Sequence, residues 1–334
     1  MSVQFSAPSQ LETTYILPLR WSGDEGLAEL ARYLQQLSGW MHVLVVDGSA
    51  QELFGQHAKA FAPPIRHVPP QPRAGANGKV AGVMTGIKLA ATELLIIADD
   101  DVRYEFSTLG QILELLAAAD IVRPQNYFAP LPWHARLDTA RTLINRTFGA
   151  DYPGTFGVRR SAVLATGGYD GNVLFENLEL LRTIEAAGGR ERQASGLFVR
   201  RLPPTTAHFL RQRVRQAYDD FAQPRRLLVE LMLLPLLVVV LWRAVKHGKA
   251  GALLLALAVP CVLAGLGRCR NRGTEVFAKT APLWAPLWVF ERAVSVWVAV
   301  HFRLRGGMPY AGETLYQAAN SIRRLRILHG GKIR

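Results

Sequence analysis

Three consecutive acidic residues, Asp99, Asp100 and Asp101, follow the apolar run LLIIA and are the clearest candidates for chemistry in the chain. Because alternate residues of an extended strand end point the same way, Asp99 and Asp101 can share one ligand. Adjacent carboxylates at a buried strand end repel one another unless a cation lies among them. A hard divalent ion that also contacts diphosphate oxygens suits this geometry. The competing interpretation is a solvated acidic turn that caps the next helix.

Five further segments carry polar side chains suited to binding. Asp47 ends HVLVVD, where its carboxylate could accept hydrogen bonds from a nucleobase or ribose, although an Asp-Gly turn would also explain it. Lys79 stands in the first turn of a predicted helix, beside free backbone N–H groups that suit a phosphate, but the segment is not a P-loop. The run GVRRSAVLATGGYD at 157–170 precedes ENLEL, a helix start with Glu176 in its first turn, and QRVRQ follows at 212–216.

The pattern of apolar residues predicts the elements that position these side chains. Strands are expected at 14–18, 42–47, 94–99 and 120–124, and helices at about 24–38, 78–92 and 106–118. Alternating strands and helices are typical of an α/β domain with a largely parallel sheet. Ligands of such sheets bind at the carboxyl ends of the strands, which is where Asp47 and Asp99 fall.

Composition and charge exclude several classes of protein. The 334 residues are 49% hydrophobic and 19% charged, which excludes disorder as the dominant state. Cys261 and Cys269 are the only cysteines, so a disulfide scaffold and a cysteine zinc site are excluded. The net charge of +13 comes from residues 201–334, which also hold the long apolar runs. Basic residues that flank apolar segments indicate a membrane surface rather than a nucleic acid.

Three apolar stretches follow Arg226, at 227–242, 250–267 and 281–302. The first two are of marginal length for a hydrocarbon core about 30 Å thick, and each contains a proline. The third is long enough but carries Glu291 and Arg292, which are costly in lipid unless they are paired or lie near the interface.

Charge also predicts the topology of these stretches. No basic segment followed by an apolar one precedes Tyr15, so we expect no signal peptide and a cytoplasmic N-terminal domain. The basic residues after Phe302 favour the cytoplasmic side as well. Two ends on one side require an even number of crossings. We therefore expect a hairpin of the first two stretches, with the third interfacial or re-entrant, although the 243–250 loop with Arg243, Lys246 and Lys249 would then face outward. An all-interfacial arrangement and three buried helices of a soluble core are the alternatives.

Taken in order, strand-Pro18, VVDGS, Gly78-Lys79, DDD, VRRS…GGYD, ENLEL and QRVRQ resemble the family 2 glycosyltransferases over about residues 12–220. The resemblance implies a GT-A fold, which is a Rossmann-like mixed sheet that binds a nucleotide sugar. It also implies inverting transfer from that donor, usually a UDP-sugar, to an acceptor hydroxyl. The segment RGGMPYAG at 305–312 is similar to the ceramide glucosyltransferase-like branch, which implies a lipid or lipid-linked acceptor. The expected organisation is a catalytic domain at 1–224, membrane helices at 225–302 and a basic cytoplasmic tail at 303–334, at the cytoplasmic (inner) membrane.

The resemblance also implies roles for the candidate donor-binding residues. Asp47 would contact the nucleotide base, and Lys79 the uridine or phosphate region. Asp99 would bind the ribose or sugar and, with Asp101, hold Mn²⁺ or Mg²⁺. That ion would neutralise the departing diphosphate.

The QRVRQ segment matches the family motif Q-x-x-R-W through Gln212 and Arg215, which implies a place near the diphosphate and the acceptor mouth. Gln216 stands where the motif has Trp, which changes the stacking surface of the acceptor pocket. A basic helix lying on anionic lipid is the alternative explanation of the arginines. Asp219 and Asp220, just beyond, are expected to be solvated.

A second departure concerns the catalytic base. The family has Glu-Asp where this chain has Glu176-Asn177, and an amide cannot accept the proton of the acceptor hydroxyl at neutral pH. Glu176 is our first candidate to replace the missing aspartate, and Asp170 is the second. A non-catalytic subunit that binds donor or lipid is the alternative that Asn177 motivates. A nucleotidyltransferase is disfavoured because Pro18 and Leu19, rather than a Gly-rich loop, end the first strand.

Overall fold

A computed structural model of the chain describes residues 11–149, 151–248 and 250–333. The segment on which most of the signal-peptide expectation rests, residues 1–10, lies outside the described residues, as do Lys249 and Arg334. Within the described ranges, the chain folds into an α/β part, a group of long apolar helices and a C-terminal segment that returns to the α/β part.

An eight-stranded mixed sheet is the centre of the α/β part. Its strands are β1 (Thr13–Leu19), β2 (His42–Asp47), β3 (Arg66–Val68), β4 (Leu94–Ala98), β5 (Val102–Arg103), β6 (Ile121–Phe128), β7 (Thr155–Arg159) and β8 (Glu191–Arg201). They are arranged in the order β3-β2-β1-β4-β7-β6-β8-β5. The four predicted strands correspond to β1, β2, β4 and β6. Neighbours from β3 to β4 are parallel, and so are β6 and β8, whereas β7 is antiparallel to β4 and β6. The sheet is therefore mixed, as the implied fold requires.

Eight helices in the described ranges accompany the sheet. Both ends were predicted for three of them, and the start of a fourth was predicted at Glu176. The eight helices are α1 (Leu27–Ser38), α2 (Gln51–Ala60), α3 (Gly78–Leu89), α4 (Phe106–Leu116), α5 (Trp133–Phe148), α6 (Arg160–Thr166), α7 (Glu176–Ala186) and α8 (Thr206–Tyr218). The predictions of α1, α3 and α4 are confirmed to within three residues at each end. The α3 start has a local cause, because the Asn77 side chain accepts a hydrogen bond from the Lys79 N–H.

The two faces of the sheet bury separate cores. Tyr15 and Leu17 of β1 pack on the face covered by α1 and α4, while Ile16 faces α3 and α7. This alternation follows from the two-residue period of a strand. Helix α3 lies so close to β1 that a Cβ on Gly86 would be 2.3 Å from Ile16 Cγ2. This glycine therefore permits α3 to pack closely on β1. The same packing fixes the position of Lys79, which lies in the first turn of α3.

Two of the three apolar helices are longer than the sequence pattern predicted, and the third begins after a 3₁₀ turn and ends two residues beyond the predicted stretch. The helices of this part are α9 (Pro224–His247), α10 (Ala250–Cys269), the four-residue α11 (Gly273–Val276) and, after a 3₁₀ turn, α12 (Ala285–Leu304). Among the described residues, three helices are long and apolar enough to cross a membrane, namely Pro224–His247, Gly251–Cys269 and Ala281–Leu304. Polar residues extend α9 by a turn, so that Arg243 and Lys246 belong to this helix rather than to a loop. The apolar side chains of α9 and α10 are mostly exposed, so these helices are not a buried core of the described chain.

The C-terminal segment packs onto the α/β part. It forms the hairpin β9 (Met308–Tyr310) and β10 (Glu313–Leu315), and then helix α13 (Ile322–His329). Helix α13 lies against α7, and the Asn320 side chain donates to both Asp170 and Glu179. Residues expected to form a basic tail thus help to hold the helix that begins at Glu176.

Candidate active site

A cavity of about 770 Å³ opens at the carboxyl ends of β1, β2 and β4. Its walls are the residues that follow these strands, the first turns of α3 and α7, one face of α8, the beginning of α9 and Arg292 of α12. The carboxyl edge of parallel strands is the expected position for a ligand site in such a sheet. The cavity therefore runs from the sheet to the apolar helices.

Asp99 lies at the sheet end of the cavity between two cations. Its Oδ1 is 2.5 Å from Lys79 Nζ, and its Oδ2 is 3.4 Å from Arg201 Nη2. The Asp99 N–H donates to the Gly154 carbonyl at 2.8 Å, which holds the strand end in place. Burial alone would raise the pKa of Asp99, but the charges of Lys79 and Arg201 hold it below its usual value. Asp99 is thus ionised and already paired.

Asp101 shares Arg201 with Asp99 but keeps one free oxygen. Arg201 Nε donates to Asp101 Oδ2 at 2.8 Å, while the buried Oδ1 has no hydrogen-bond partner in the described chain. Burial raises the pKa of Asp101 to about 6, against the opposing charge of Arg201. Asp100 lies apart and accepts a hydrogen bond from Trp21 Nε1. The structure thus shows the alternation along the strand end, with Asp99 and Asp101 sharing a partner.

The residues present fit a divalent cation that completes its coordination from a ligand. No group of three or more His, Cys, Asp or Glu side chains in the described ranges could hold a metal on its own. The unpartnered Oδ1 of Asp101 is a hard oxygen donor that faces no protein hydrogen, with the Asp99 carboxylate beside it. Mg²⁺ is commonly bound by one or two carboxylates together with substrate phosphates.

Lys79 joins the acidic triplet to α7. Its Nζ is 2.5 Å from Glu176 Oε1 as well as from Asp99 Oδ1. Burial would lower the pKa of Lys79, but these two carboxylates raise it above its usual value. The pKa of Glu176 is raised because its burial outweighs the charge of Lys79. Next to it, Asn177 lines the cavity, and its Nδ2 donates to the Pro153 carbonyl at 3.2 Å.

Two predicted site residues do not line the cavity. Asp47 is 1% exposed, and its carboxylate accepts from the Ser49 N–H at 2.9 Å and contacts His57 Nδ1 at 2.6 Å and His67 Nε2 at 3.0 Å. Burial would raise the pKa of Asp47, but these hydrogen bonds lower it. Its oxygens are therefore engaged by protein groups.

Asp170, the second base candidate, also lies outside the lining. Its Oδ1 accepts from the Asn172 N–H, and its Oδ2 accepts from Asn320 Nδ2. Its carboxylate thus ties the C-terminal segment to the loop before α7.

One face of α8 lines the cavity at helical spacing. His208, Gln212, Arg215 and Gln216 lie on this face, so the two matching motif residues and the departing Gln216 share it. The Arg215 guanidinium lies 5.1 Å from the ring centre of Tyr310 on the C-terminal hairpin. On the opposite side of the helix, Arg213 makes a buried ion pair with Asp138 instead.

Sequence reasoning missed Arg201 and a buried ionic cluster at the other end of the cavity. Asp220 was expected to be solvated, but it is 2% exposed and its Oδ2 is 2.9 Å from Arg292 Nη1. Arg226 joins Asp220 to Glu230, at 3.0 Å from each. The expectation for Asp220 is therefore wrong. The sequence contained a signal for this cluster, because Arg292 lies inside the third apolar stretch and a charged residue there requires a partner. Arg201 carried no such signal, since it meets Asp101 only through the pairing of β8 with β5.

An acidic triplet, a basic helix start and the carboxyl edge of a mixed α/β sheet meet in one cavity, which defines a GT-A-type domain. Residues 27–160 match the family described as Glycosyl transferase family 2. The matched segment runs from α1 through β7 and includes Asp47, Lys79 and the acidic triplet. The match supports the family 2 glycosyltransferase domain that the sequence predicted.

Solved structures of low identity also align with the chain. A mannosyltransferase from Pyrobaculum calidifontis, in complex with GDP-Man and Mn²⁺, is 15% identical with a TM-score of 0.46, over 86% of this chain and 87% of its own. GalNAc-T7 with UDP, GalNAc and Mn²⁺ is 12% identical with a TM-score of 0.43, over 59% and 45% of the two chains. A mycobacterial protein is 13% identical with a TM-score of 0.38, over 59% and 69%. No curated protein matches the sequence.

Proposed function

We propose that this protein is a metal-dependent, inverting glycosyltransferase that moves a sugar from a nucleotide sugar, a UDP-sugar in the first instance, to a lipid or lipid-linked acceptor at the membrane face. One observation carries the proposal. The cavity that holds the acidic triplet is also lined by α8, and α8 leads through a single 3₁₀ turn into the candidate span α9. A donor at the sheet and an acceptor in the bilayer would thus enter the same cavity.

The sheet end of this cavity suits the diphosphate of the donor. Lys79 and Arg215 line it, and the planar fork of an arginine can donate two hydrogen bonds to one phosphate. Asp101 and Asp99 would hold Mn²⁺ or Mg²⁺. When bound, the ion supplies positive charge where negative charge develops on the departing diphosphate.

Removal of the acceptor proton is the step for which the sequence departs from the family. General-base help is worth roughly 10²–10⁴ in rate. Glu176 is the sequence candidate that combines a carboxylate with a place in the cavity, whereas Asp170 is engaged elsewhere. Asn177 retains no basic group at neutral pH.

For the membrane part, we propose a hairpin of α9 and α10 with α12 at the interface of the cytoplasmic membrane, and the catalytic domain facing the cytoplasm. The greater burial of α12 against the rest of the chain, 39% against 6% for α9, supports the different placement. Labelling of an Arg243→Cys variant, with Cys261 and Cys269 changed to Ser, tests the hairpin. Labelling from outside is expected, and labelling from the cytoplasm alone would exclude it.

The activity is tested with the full-length protein in detergent, Mn²⁺, a panel of UDP-sugars and a total lipid extract of the source cells. Release of UDP with a new glycolipid in the mass spectrum is expected for at least one donor. The Asp101→Ala variant should lose this turnover and its Mn²⁺-dependent binding of UDP. If the wild-type protein binds neither Mn²⁺ nor UDP, and Asp101→Ala behaves identically, the proposal is wrong.

A non-catalytic subunit that binds donor or lipid is the second candidate. It is favoured by Asn177, whose amide donates to the Pro153 carbonyl, a contact that an ionised carboxylate could not make. Intact UDP binding without turnover in any donor and lipid mixture would support this function over the first.

A further inference from the structure

Asp219 extends the cavity-facing side of α8 by one turn. It stands four residues after Arg215 and seven after Gln212, so that all three share one helical face. It lies in the 3₁₀ turn Asp219–Ala222 and lines the cavity with them. Its Oδ1 is buried and has no hydrogen-bond partner in the described chain. The sequence expectation that Asp219 is solvated is therefore wrong for this oxygen.

We propose that Asp219 is the general base that accepts the proton of the acceptor hydroxyl. The assignment rests on the proposed glycosyltransferase function. In the step, the acceptor oxygen forms a bond to the anomeric carbon of the donor sugar, and its proton passes to the Asp219 carboxylate. The bond from the anomeric carbon to the diphosphate oxygen breaks, and its electron pair leaves with the nucleoside diphosphate. Asp219 then releases the proton to water.

Its neighbour Asp220 explains why Asp219 remains available. Asp220 binds both Arg226 and Arg292, whereas Asp219 makes no ion pair within the described ranges. The two adjacent carboxylates therefore have different environments. One is neutralised inside the ionic cluster, and the other lines the cavity without an ion-pair partner in the described chain.

Glu176 is less suited to this role because it is already engaged. Its Oε1 is 2.5 Å from Lys79 Nζ, and Lys79 also binds Asp99 at the donor end. Accepting a proton would break this ion pair and leave Lys79 with one carboxylate. Glu176 is accordingly assigned a positioning role, in which it holds Lys79 beside the acidic triplet.

The charges around Asp219 suit a base that works near neutral pH. Burial raises the pKa of Asp219 to about 7, with Arg215 of α8 and Arg292 of α12 opposing and with Asp220 and Glu176 adding to the rise. A general base is most effective when its pKa lies near the working pH.

Asp219 also lies at the appropriate end of the cavity. The wall next to it is formed by Gln223, Arg226 and Arg292, which come from the beginning of α9 and from α12. A hydroxyl group that enters from the membrane helices would pass these residues and the Asp219 carboxylate beside them. The acidic triplet and the diphosphate it would bind lie at the sheet end.

The test compares Asp219→Asn with Glu176→Gln in the full-length protein, with the UDP-sugar that supports wild-type turnover and the source-cell lipid extract. We expect kcat of Asp219→Asn to fall by roughly 10²–10⁴ at pH 7.5, with UDP affinity within threefold of wild type. The wild-type kcat should rise with pH with a midpoint near 7. Glu176→Gln should keep this rise of kcat with pH, the acidic limb of the profile, and should instead weaken UDP binding. Asp219→Glu should retain part of the activity and the same acidic limb.

Failure of the assignment and failure of the proposed function give different results. If wild type turns over and Asp219→Asn keeps more than a third of its kcat with the same pH profile, Asp219 is not the base. Loss of the acidic limb in Glu176→Gln alone would assign the base to Glu176. A wild-type kcat that is flat between pH 5 and 8 also excludes Asp219, and this measurement needs no variant. Absence of UDP binding and turnover in the wild type would overturn both proposals.

Discussion

Arg292 is expected to be essential for stability, because it is the buried cation that joins α12 to the 3₁₀ turn and α9. It is 1% exposed, and its Nη1 is 2.9 Å from Asp220 Oδ2 and 3.5 Å from Glu230 Oε2. The Arg292→Met variant keeps an unbranched, apolar stem but removes the guanidinium, and it leaves Arg226 to neutralise two buried carboxylates alone. Breaking a buried ion pair by removing one partner costs about 3–5 kcal/mol. The unfolding midpoint should fall by roughly 5–15 °C for such a loss.

The assay is tryptophan fluorescence on heating, at pH 7.5 in one detergent, with the half-life under trypsin as a second measure. Arg272→Met is the matched control, because Arg272 and Glu275 form an exposed pair with side chains 68% and 53% accessible. Its midpoint should stay at the wild-type value. The double variant Arg292→Met/Glu230→Gln should recover part of the loss, since the cluster is then neutral. Equal midpoints for Arg292→Met and Arg272→Met would refute the buried-cluster argument.

Three further predictions concern residues at the edge of the sheet that carries Asp47 and Asp99. Lys79→Met removes the cation shared by Asp99 and Glu176, so UDP should bind at least tenfold more weakly by calorimetry. Unchanged affinity would contradict the proposed role of the lysine. Because the folded pKa of Asp47 is depressed, its ionised form stabilises the fold above about pH 4, and this contribution is lost as the pH falls further. Asp47→Asn should therefore lower the unfolding midpoint at pH 7 and flatten its decline below pH 4, and a curve parallel to wild type would disprove this. A Cβ on Gly154 would lie 2.5 Å from Asp99 Oδ2, so Gly154→Ala should reduce turnover at least tenfold by moving this carboxylate. Wild-type turnover would show that the position of Asp99 is not critical.

Several features of this protein were accessible from local sequence patterns. Apolar runs and helical periodicity predicted β1, β2, β4 and β6 with α1, α3 and α4, because burial on one face or both leaves a direct mark on the sequence. The apolar helices were also located from the sequence, by the length and hydropathy of their apolar stretches. The spacing within Asp99–Asp101 predicted that the first and third carboxylates point the same way, and both contact Arg201.

Other features depended on contacts between residues far apart in the chain. Asp101 meets Arg201 because β8 pairs with β5, and Asp47 is enclosed by His57 and His67 because β3 joins the edge of the sheet beside β2. Neither contact has a local signature. The sequence around a charged residue at a strand end is the same whether that residue faces a cation, a histidine or water.

The sequence by itself determined that this chain has an α/β domain with acidic residues at a strand end, followed by apolar helices rich in flanking basic residues. Only the tertiary structure decided which of its carboxylates are engaged in ion pairs. Asp219 and Asp220 are adjacent and chemically identical, yet the packing of α12 brings Arg292 to one of them, while an oxygen of the other has no partner in the described part of the chain. Charge pairing depends on distances of a few ångströms, and those distances are set by the packing of whole helices rather than by neighbouring residues.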